Sequence, residues 1–272
     1  MRRSNSSISR FRKSKNPKSS DSSIYYGCFC PGRRIFEIIR IVPYHVINPV
    51  RKLTYKIAHM EYSYIFDIGR VLVDFDFDRA LERLVRFAPH EKDELGQRIF
   101  AVDADGGSLS EEYEKGRISS EEYFREIKKR ADLDLDYERF AEIWADIFTE
   151  NENVTGFLES IKDQPKIILS NTCSMHWDRL GGCGNIKNFF GADEIIKSYE
   201  VGLKKPDIRI FELAKKILPA GREIIYFDDM EENVKAAKEV GIRGIKYDCR
   251  YDDIDRLVEE HGVKPWLSGR QG

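Results

Sequence analysis

The sequence predicts an α/β protein: a Rossmann-like, doubly wound parallel sheet with a helical cap inserted after the first strand. From residue 152 onward, short apolar runs alternate with amphipathic helical segments, which is typical of a parallel sheet covered on both faces. Residues 78–151 instead show helical periodicity and no strand pattern. With 272 residues, 41% of them hydrophobic, the chain is long enough for one or two compact domains.

The individual elements follow from local patterns. Tyr64–Phe66 is aromatic and β-branched and predicts a buried first strand, followed by a second apolar run at Val71–Val73. In the cap, apolar residues recur at helical spacing, namely Leu81, Leu84, Val85, Phe87, Tyr123, Ile127, Phe140, Ile143, Trp144 and Ile147. Later strands are predicted at residues 166–169, 194–197, 223–227 and 244–247. Pro206 is expected in the first turn of a helix.

Charge divides the chain into two unequal parts. Residues 1–60 hold 13 basic and 2 acidic residues, whereas the rest holds 32 basic and 45 acidic residues. An acidic body argues against nucleic-acid binding by that body. The basic start can be an organelle transit peptide, or a membrane tether that uses Cys28 and Cys30 for acylation. In a third interpretation, which we favour, translation of the natural protein begins at Met60 and the preceding residues are not part of it.

We therefore divide the chain into three parts. Residues 1–60 form a basic extension, expected to be disordered or not native, residues 61–77 and 152–272 form the core, and residues 78–151 form the cap. Five cysteines occur without a C-x-x-C pair or a His at zinc-finger spacing, which favours a reducing, cytoplasmic compartment. No apolar stretch reaches the roughly 18 residues that cross a bilayer. The sequence does not indicate the oligomeric state.

Polar side chains follow four of the predicted strands. They comprise carboxylates, a hydroxyl, an amide and an ammonium group, in chain order Asp67, Ser170, Asn171, Lys205, Asp228 and Asp229. Because the carboxyl ends of parallel strands form the ligand crevice of such a sheet, we expect these groups to converge.

Three carboxylates in one crevice repel each other, by roughly 4 kcal/mol per pair at about 4 Å and an effective dielectric near 20. Either one of them holds a proton or a cation lies among them. A hard divalent ion with oxygen ligands, Mg²⁺, relieves the repulsion and favours a phosphate as its companion. Lys205 and the Ser170 hydroxyl can then donate to phosphoryl oxygens.

Four motifs carry a family resemblance. They are Phe66-Asp-Ile-Gly-Arg-Val-Leu-Val-Asp74, Leu169-Ser-Asn-Thr172, Gly202-Leu-Lys-Lys-Pro206 with Ile210-Phe211, and Tyr226-Phe-Asp-Asp229 with Asn233. In this order they resemble the motifs of the haloacid dehalogenase-like (HAD) hydrolases, most closely the small phosphatases similar to glucose-1-phosphatase. The resemblance covers residues 62–250. It implies a Rossmann-like core, an inserted helical cap and covalent phosphoryl transfer.

The resemblance also implies a role for each motif residue. Asp67 would be the nucleophile that forms an aspartyl-phosphate. Ser170 and Lys205 would bind the phosphoryl group, and Asn171 would help to position it. The cap would close over the leaving group and set selectivity.

By the same resemblance, Mg²⁺ would be held by Asp67, the backbone carbonyl of Gly69, and Asp228. Asp229 would either bind the ion directly or lie just outside the residues that bind it.

Position 69 departs from the pattern of many family phosphatases, which carry a second Asp there as general acid and base. General acid help contributes about 10²- to 10⁴-fold, so we expect slow turnover or a restriction to good leaving groups. Arg70 is a candidate contact to an anionic substrate or else a surface charge. His176 is a candidate lining residue of the substrate pocket or else a loop histidine with an ordinary hydrogen bond.

The sequence thus predicts a Mg²⁺-dependent phosphatase for a small phosphorylated metabolite, with a sugar phosphate as a candidate. One alternative is a metal-independent dehalogenase with the same Asp nucleophile. The pair Asp228-Asp229 argues against it, because unneutralised carboxylates would repel the attacking one. The other alternative is a catalytically weak HAD-like binding module whose working part is the basic extension.

Overall fold

Seven strands form two sheets in the computed structural model, which describes residues 62–103 and 106–263. The strands are β1 (Tyr62–Phe66), β2 (Val73–Phe75), β3 (Phe148–Glu150), β4 (Lys166–Ser170), β5 (Ile195–Lys197), β6 (Glu223–Asp228) and β7 (Arg243–Lys246). The expectations for residues 1–60 lie outside the described part of the chain.

The larger sheet has the strand order β5-β4-β1-β6-β7, and all of its pairs are parallel. From β1 the chain moves outward through β4 to β5, then returns to β6 on the other side of β1 and continues to β7. The strand order therefore reverses between β1 and β6. In an open α/β sheet, the crevice outside the carboxyl ends of two such strands is where ligands bind. The predicted α/β fold class is confirmed.

Apolar clusters cover both faces of this sheet, because side chains alternate along each strand. Tyr64 and Phe66 point into a cluster on one face, while Ile65 between them points into the cluster on the other. Buried strands with two apolar faces explain why the sequence showed continuous apolar runs rather than alternation.

Helices fill the connections. They are α1 (Phe77–Leu84), α2 (Lys92–Ile99), α3 (Leu109–Glu114), α4 (Ser120–Ala131), α5 (Tyr137–Ala145), α6 (Thr155–Ser160), α7 (Ser174–Leu180), α8 (Gly184–Phe189), α9 (Ser198–Val201), α10 (Ile208–Ile217), α11 (Glu231–Glu239) and α12 (Ile254–Glu260), with short 3₁₀ turns at Val85–Phe87, Glu152–Val154 and Ala192–Glu194. Among these described helices, none is long and apolar enough to span a bilayer.

Helices α1 to α5 form the segment inserted between β2 and β3, and they share a hydrophobic cluster of their own. Helix α4 begins at Ser120, because Ser119 and Glu122 form a capping box around its first turn. The insertion thus packs around its own core and meets the sheet at its carboxyl edge through β2 and β3.

Two sequence expectations need correction. We expected no strand within residues 78–151, yet β3 pairs antiparallel with β2; a strand of three residues, Phe-Thr-Glu, is too short to show a period. Pro206 was expected in the first turn of a helix, but Asp207 caps α10 and Pro206 precedes that cap. Pro206 instead follows a cis peptide bond to Lys205.

Candidate active site

The loop after β1 fixes Asp67 at the mouth of the sheet. The amide of Asp67 donates to the Phe227 carbonyl of β6 at 2.9 Å, which extends the pairing of the two strands by one residue. The chain then turns tightly, because the single carbonyl of Ile68 accepts from the amides of residues 71, 72 and 73 at 2.9 to 3.2 Å. Arg70 takes a left-handed conformation, with φ of 60°, within this turn.

A buried ammonium group lies between two carboxylates at the carboxyl ends of β1 and β6. Lys205 Nζ is 2.8 Å from Asp67 Oδ1 and 2.7 Å from Asp228 Oδ2. The side chains of Lys205 and Asp228 are 1% and 0% exposed, so solvent screens these contacts little. We call Asp67, Lys205, Asp228 and the half-buried Asp229 the ionic floor. Its members are brought together from three separate stretches of chain.

Asp228 is held by several donors besides Lys205. The Met230 amide donates to Oδ1 at 2.8 Å, and Asn233 Nδ2 lies 2.9 Å from Oδ1 and 3.1 Å from Oδ2. The Tyr226 hydroxyl donates to Oδ2. These bonds orient the carboxylate, as a ligand must be oriented before it can hold a metal ion with defined geometry.

The surroundings shift the pKa values of the ionic floor in different directions. Burial raises the pKa of Asp67 to about 7, with Lys205 opposing the rise and Asp228 adding to it. Burial also acts to raise the pKa of Asp228, but Lys205 and the hydrogen bonds from Tyr226 and Asn233 outweigh it and hold that pKa below its ordinary value. Burial and the neighbouring Asp228 raise the pKa of Asp229.

Among the described residues, Asp67, Asp228 and Asp229 form a group whose carboxylate oxygens lie within 4.8 Å of one another. One ammonium group faces these three carboxylates, so the ionic floor carries an excess of negative charge when all three are ionised. Hard oxygen donors with an uncompensated negative charge fit Mg²⁺. The carbonyl of Gly69 as a further ligand stays a prediction.

Ser170 and Asn171 end β4 beside this cluster. Ser170 is 2% exposed, and its hydroxyl is 3.5 Å from the Asn171 carbonyl, at the limit of a hydrogen bond. Asn171 binds the backbone of Lys205 at both ends of its amide: Nδ2 donates to the Lys205 carbonyl at 3.0 Å, and Oδ1 accepts from the Lys205 amide at 2.8 Å. In this structure Asn171 therefore positions Lys205, a contact that the sequence did not indicate.

Arg70 does not extend freely toward the crevice. Its guanidinium forms an ion pair with Asp74 and lies 4.2 Å from the centre of the Phe75 ring. A contact between Arg70 and an anionic substrate would require that pair to open.

His176 lies on α7 among aromatic rings, with ring centres 5.3 Å from Phe148 and 6.0 Å from Phe77. Its Nε2 atom is buried without a hydrogen-bond partner, while the ring has a backbone hydrogen bond to Trp144. Burial lowers the pKa of His176 to about 4, so the ring is neutral at physiological pH.

Sequence reasoning assigned no role to Tyr226, although the signal was present. Tyr226 and Asp228 are two residues apart on β6, so their side chains leave the strand on the same side. Asn233 lies on the first turn of α11, five residues after Asp228, where a helix that begins directly after the strand can return a side chain to it.

No protein-family model matches the chain. The D-ribitol-5-phosphate phosphatase of Bacteroides thetaiotaomicron is 26% identical over 187 residues, which cover 65% of this chain and 87% of that protein. A HAD family enzyme of the same organism, solved with magnesium and inorganic phosphate, superposes with a TM-score of 0.60 at 21% identity and covers 73% of this chain and 99% of its own. A predicted HAD-like family hydrolase of Porphyromonas gingivalis superposes with a TM-score of 0.59 at 22% identity, covering 75% and 98%.

The solved structures establish the fold, and the sequence relative adds a phosphatase with which this chain shares most of that protein's length. The motif residues that suggested the family lie together at the sheet edge where the strand order reverses. The chain therefore has the fold of these HAD family enzymes.

Proposed function

We propose that this protein is a Mg²⁺-dependent phosphatase that hydrolyses a small phosphorylated metabolite through an aspartyl-phosphate. The observation that carries the proposal is the cluster of three carboxylates within 4.8 Å, with Lys205 bound between two of them. Such a cluster can hold a divalent cation and a phosphoryl group side by side. The phosphatase relative and the neighbour solved with magnesium and phosphate support this assignment.

In the proposed reaction, a carboxylate oxygen of Asp67 attacks phosphorus. The hydrogen bond from the Asp67 amide to the Phe227 carbonyl holds the Asp67 backbone in place. The Ile68 amide donates to Asp67 Oδ1 at 2.7 Å, which leaves Asp67 Oδ2 for attack. Mg²⁺, held by Asp67, Asp228, Asp229 and the Gly69 carbonyl, would neutralise charge on the phosphoryl oxygens. Water then hydrolyses the aspartyl-phosphate and regenerates the carboxylate.

Lys205 and Ser170 bind the phosphoryl group in this proposal. The Lys205 ammonium is already desolvated and held by Asp67 and Asp228, and Asn171 holds the Lys205 backbone, so the ammonium needs little reorganisation to donate to a phosphoryl oxygen. The Ser170 hydroxyl, with its long contact to a backbone carbonyl, can rotate toward the same group.

The metal-independent dehalogenase is disfavoured by the same geometry. Asp67 would have to attack carbon while ionised, next to Asp228 and near Asp229, and its raised pKa reflects its burial and the neighbouring Asp228. A cation removes this obstacle.

The test is a phosphate-release assay on a panel of aryl, polyol, sugar and nucleotide phosphates, with Mg²⁺ and with EDTA. We expect release from at least one ester with Mg²⁺ and its loss in EDTA. Asp228→Asn should weaken Mg²⁺ binding measured by calorimetry, whereas Asp255→Asn, an exposed carboxylate on α12, should not. Release that is unaffected by EDTA would contradict the metal-dependent mechanism. No release from any ester would leave the binding-module alternative.

A further inference from the structure

A set of aromatic rings lies beside the ionic floor, and we call it the aromatic wall. Its members are Phe75, Phe77, Phe100, Trp144, Phe148 and His176. Phe77 is its centre, with ring centres 5.7 Å from Phe75, 5.3 Å from Phe100 and 5.2 Å from Trp144. The wall is not sealed in the cap core: Phe100 is 42% exposed, and Phe75, Phe77 and Phe148 are half-buried.

The wall begins next to the proposed nucleophile. A methyl group built on Gly69 would lie 2.9 Å from Cε1 of Phe75, so this ring touches the backbone two residues after Asp67. At the other end, His176 lies on α7, which begins four residues after Ser170. A phosphoryl group bound between Asp67, Ser170 and Lys205 would thus have Phe75 and the rings that contact Phe75 as near neighbours.

The wall offers few polar partners. Its only side-chain polar atoms are the ring nitrogens of Trp144 and His176, and His176 Nε2 is buried without a partner. A polyol would leave several hydroxyl groups unpaired against such rings, at about 1 to 3 kcal/mol for each group. A flat apolar group matches the rings.

The leaving group of the ester cannot receive a proton from a side chain at position 69, because that residue is glycine. A side chain there would collide with Phe75. Two carboxylates on the surrounding segments, Asp74 and Glu114, are engaged in ion pairs with Arg70 and Lys204. An alkoxide, with a basicity near that of hydroxide, departs poorly without protonation, whereas a phenolate, with a conjugate acid of pKa about 10, departs well.

From these two independent observations we infer that the substrate is an aryl phosphate or a close equivalent, with a flat, apolar and weakly basic leaving group. This inference rests on the proposed phosphatase function. An Asp67 oxygen forms the bond to phosphorus, and the bond from phosphorus to the aryl oxygen breaks with its electron pair on that oxygen. The phenolate takes a proton from solvent, and one water molecule converts the aspartyl-phosphate to inorganic phosphate and the Asp67 carboxylate.

The test compares kcat/KM, with Mg²⁺, for a series of substituted phenyl phosphates and for D-ribitol 5-phosphate. We expect the phenyl esters to exceed the polyol ester by about 10²-fold or more, the contribution that an absent general acid would have made. Within the series, kcat/KM should fall as the leaving phenol becomes more basic. Equal or faster hydrolysis of the polyol ester would overturn the inference and leave the phosphatase standing. Hydrolysis of neither ester would count against both.

Phe77→Leu tests the wall directly, because it keeps an apolar side chain but removes the ring. We expect kcat/KM for phenyl esters to fall roughly 3- to 10-fold, the size of one aromatic contact, with a smaller fall for the polyol ester. Ile217→Ala is the control, since Ile217 is a 45% exposed side chain in the last turn of α10, the helix that leads into the amino end of β6. Equal values for Phe77→Leu and the parent on phenyl esters would remove the wall from substrate selection. The wild-type series decides the leaving-group question whether or not the variant folds.

Discussion

The ionic floor and the aromatic wall are built in different ways. The floor is held by contacts of 2.7 to 3.1 Å between groups at strand ends, with Lys205 and Asp228 almost fully buried. The wall is held by ring contacts of 5.2 to 6.3 Å between side chains from five elements and Phe100, which follows α2, and several of its rings are partly open to solvent. Under the proposed function, the difference teaches that the sheet edge would determine the reaction, while the aromatic wall would determine which ester is preferred.

The two regions also respond differently to substitution. A charged group in the floor is compensated by its neighbours, so removal of one member leaves another buried and unpaired. A ring in the wall contributes area and shape, and its loss is smaller and graded. Substitutions in the floor should therefore abolish function or stability, whereas those in the wall should change preference.

The largest effect is expected for Asp67→Asn, because an amide cannot attack phosphorus. Phosphate release should fall by at least about 10⁴-fold, comparable to the loss of other catalytic nucleophiles. Asp255→Asn serves as the matched control and should retain full activity. Turnover of Asp67→Asn close to that of the parent would remove Asp67 from the nucleophile role.

Lys205→Met should destabilise the protein by about 3 to 5 kcal/mol, because it leaves the buried Asp67 and Asp228 without their shared cation. Lys204→Met removes the neighbouring lysine, whose partly exposed pair with Glu114 spans 2.6 Å and should contribute less than about 1 kcal/mol. Urea unfolding in EDTA measures both. Equal losses for the two variants would mean that the floor is no more sensitive than the protein surface.

The stability of the metal-free protein should depend on pH through Asp67. Its pKa in the folded protein, about 7, lies above the ordinary value, so the folded state retains a proton that the unfolded state loses. This contribution is present at low pH and is lost as pH rises from about 4 to about 7. Asp67→Asn should therefore be more stabilising at pH 8 than at pH 5, by about 2 kcal/mol in urea unfolding with EDTA. A difference that stays constant with pH would contradict the raised pKa.

The smallest of these effects is expected for Asn171→Ala, which removes two hydrogen bonds to the Lys205 backbone. Stability should fall by roughly 1 kcal/mol, and kcat should fall because Lys205 is no longer held in place. Asn171→Asp keeps the acceptor and loses the donor, so it should fall between the parent and Asn171→Ala in kcat. If kcat is unchanged while stability falls, Asn171 supports the fold rather than the position of Lys205.

Local patterns were enough to predict the five strands of the parallel sheet and the convergence of the floor residues. Apolar β-branched runs mark buried strands, and polar residues at their carboxyl ends must meet, because parallel strands end at one edge. This argument brings Asp67 and Asp228 together across 160 positions of chain. Strand β3 escaped prediction because three residues are too few to show alternation.

The sequence by itself determined the sheet, the order of its motifs and the convergence of the charged groups, because those depend on strand periodicity and chain direction. Only the tertiary structure decided that Asn171 holds the Lys205 backbone, that Arg70 pairs with Asp74, and that Phe75 blocks the side of Gly69. The contacts of Asn171 and the rings of the wall connect residues from separate elements, and the turn after Asp67 sets the directions of Arg70 and Phe75. Side-chain direction across such packed elements is set by how they dock, and no local pattern encodes it.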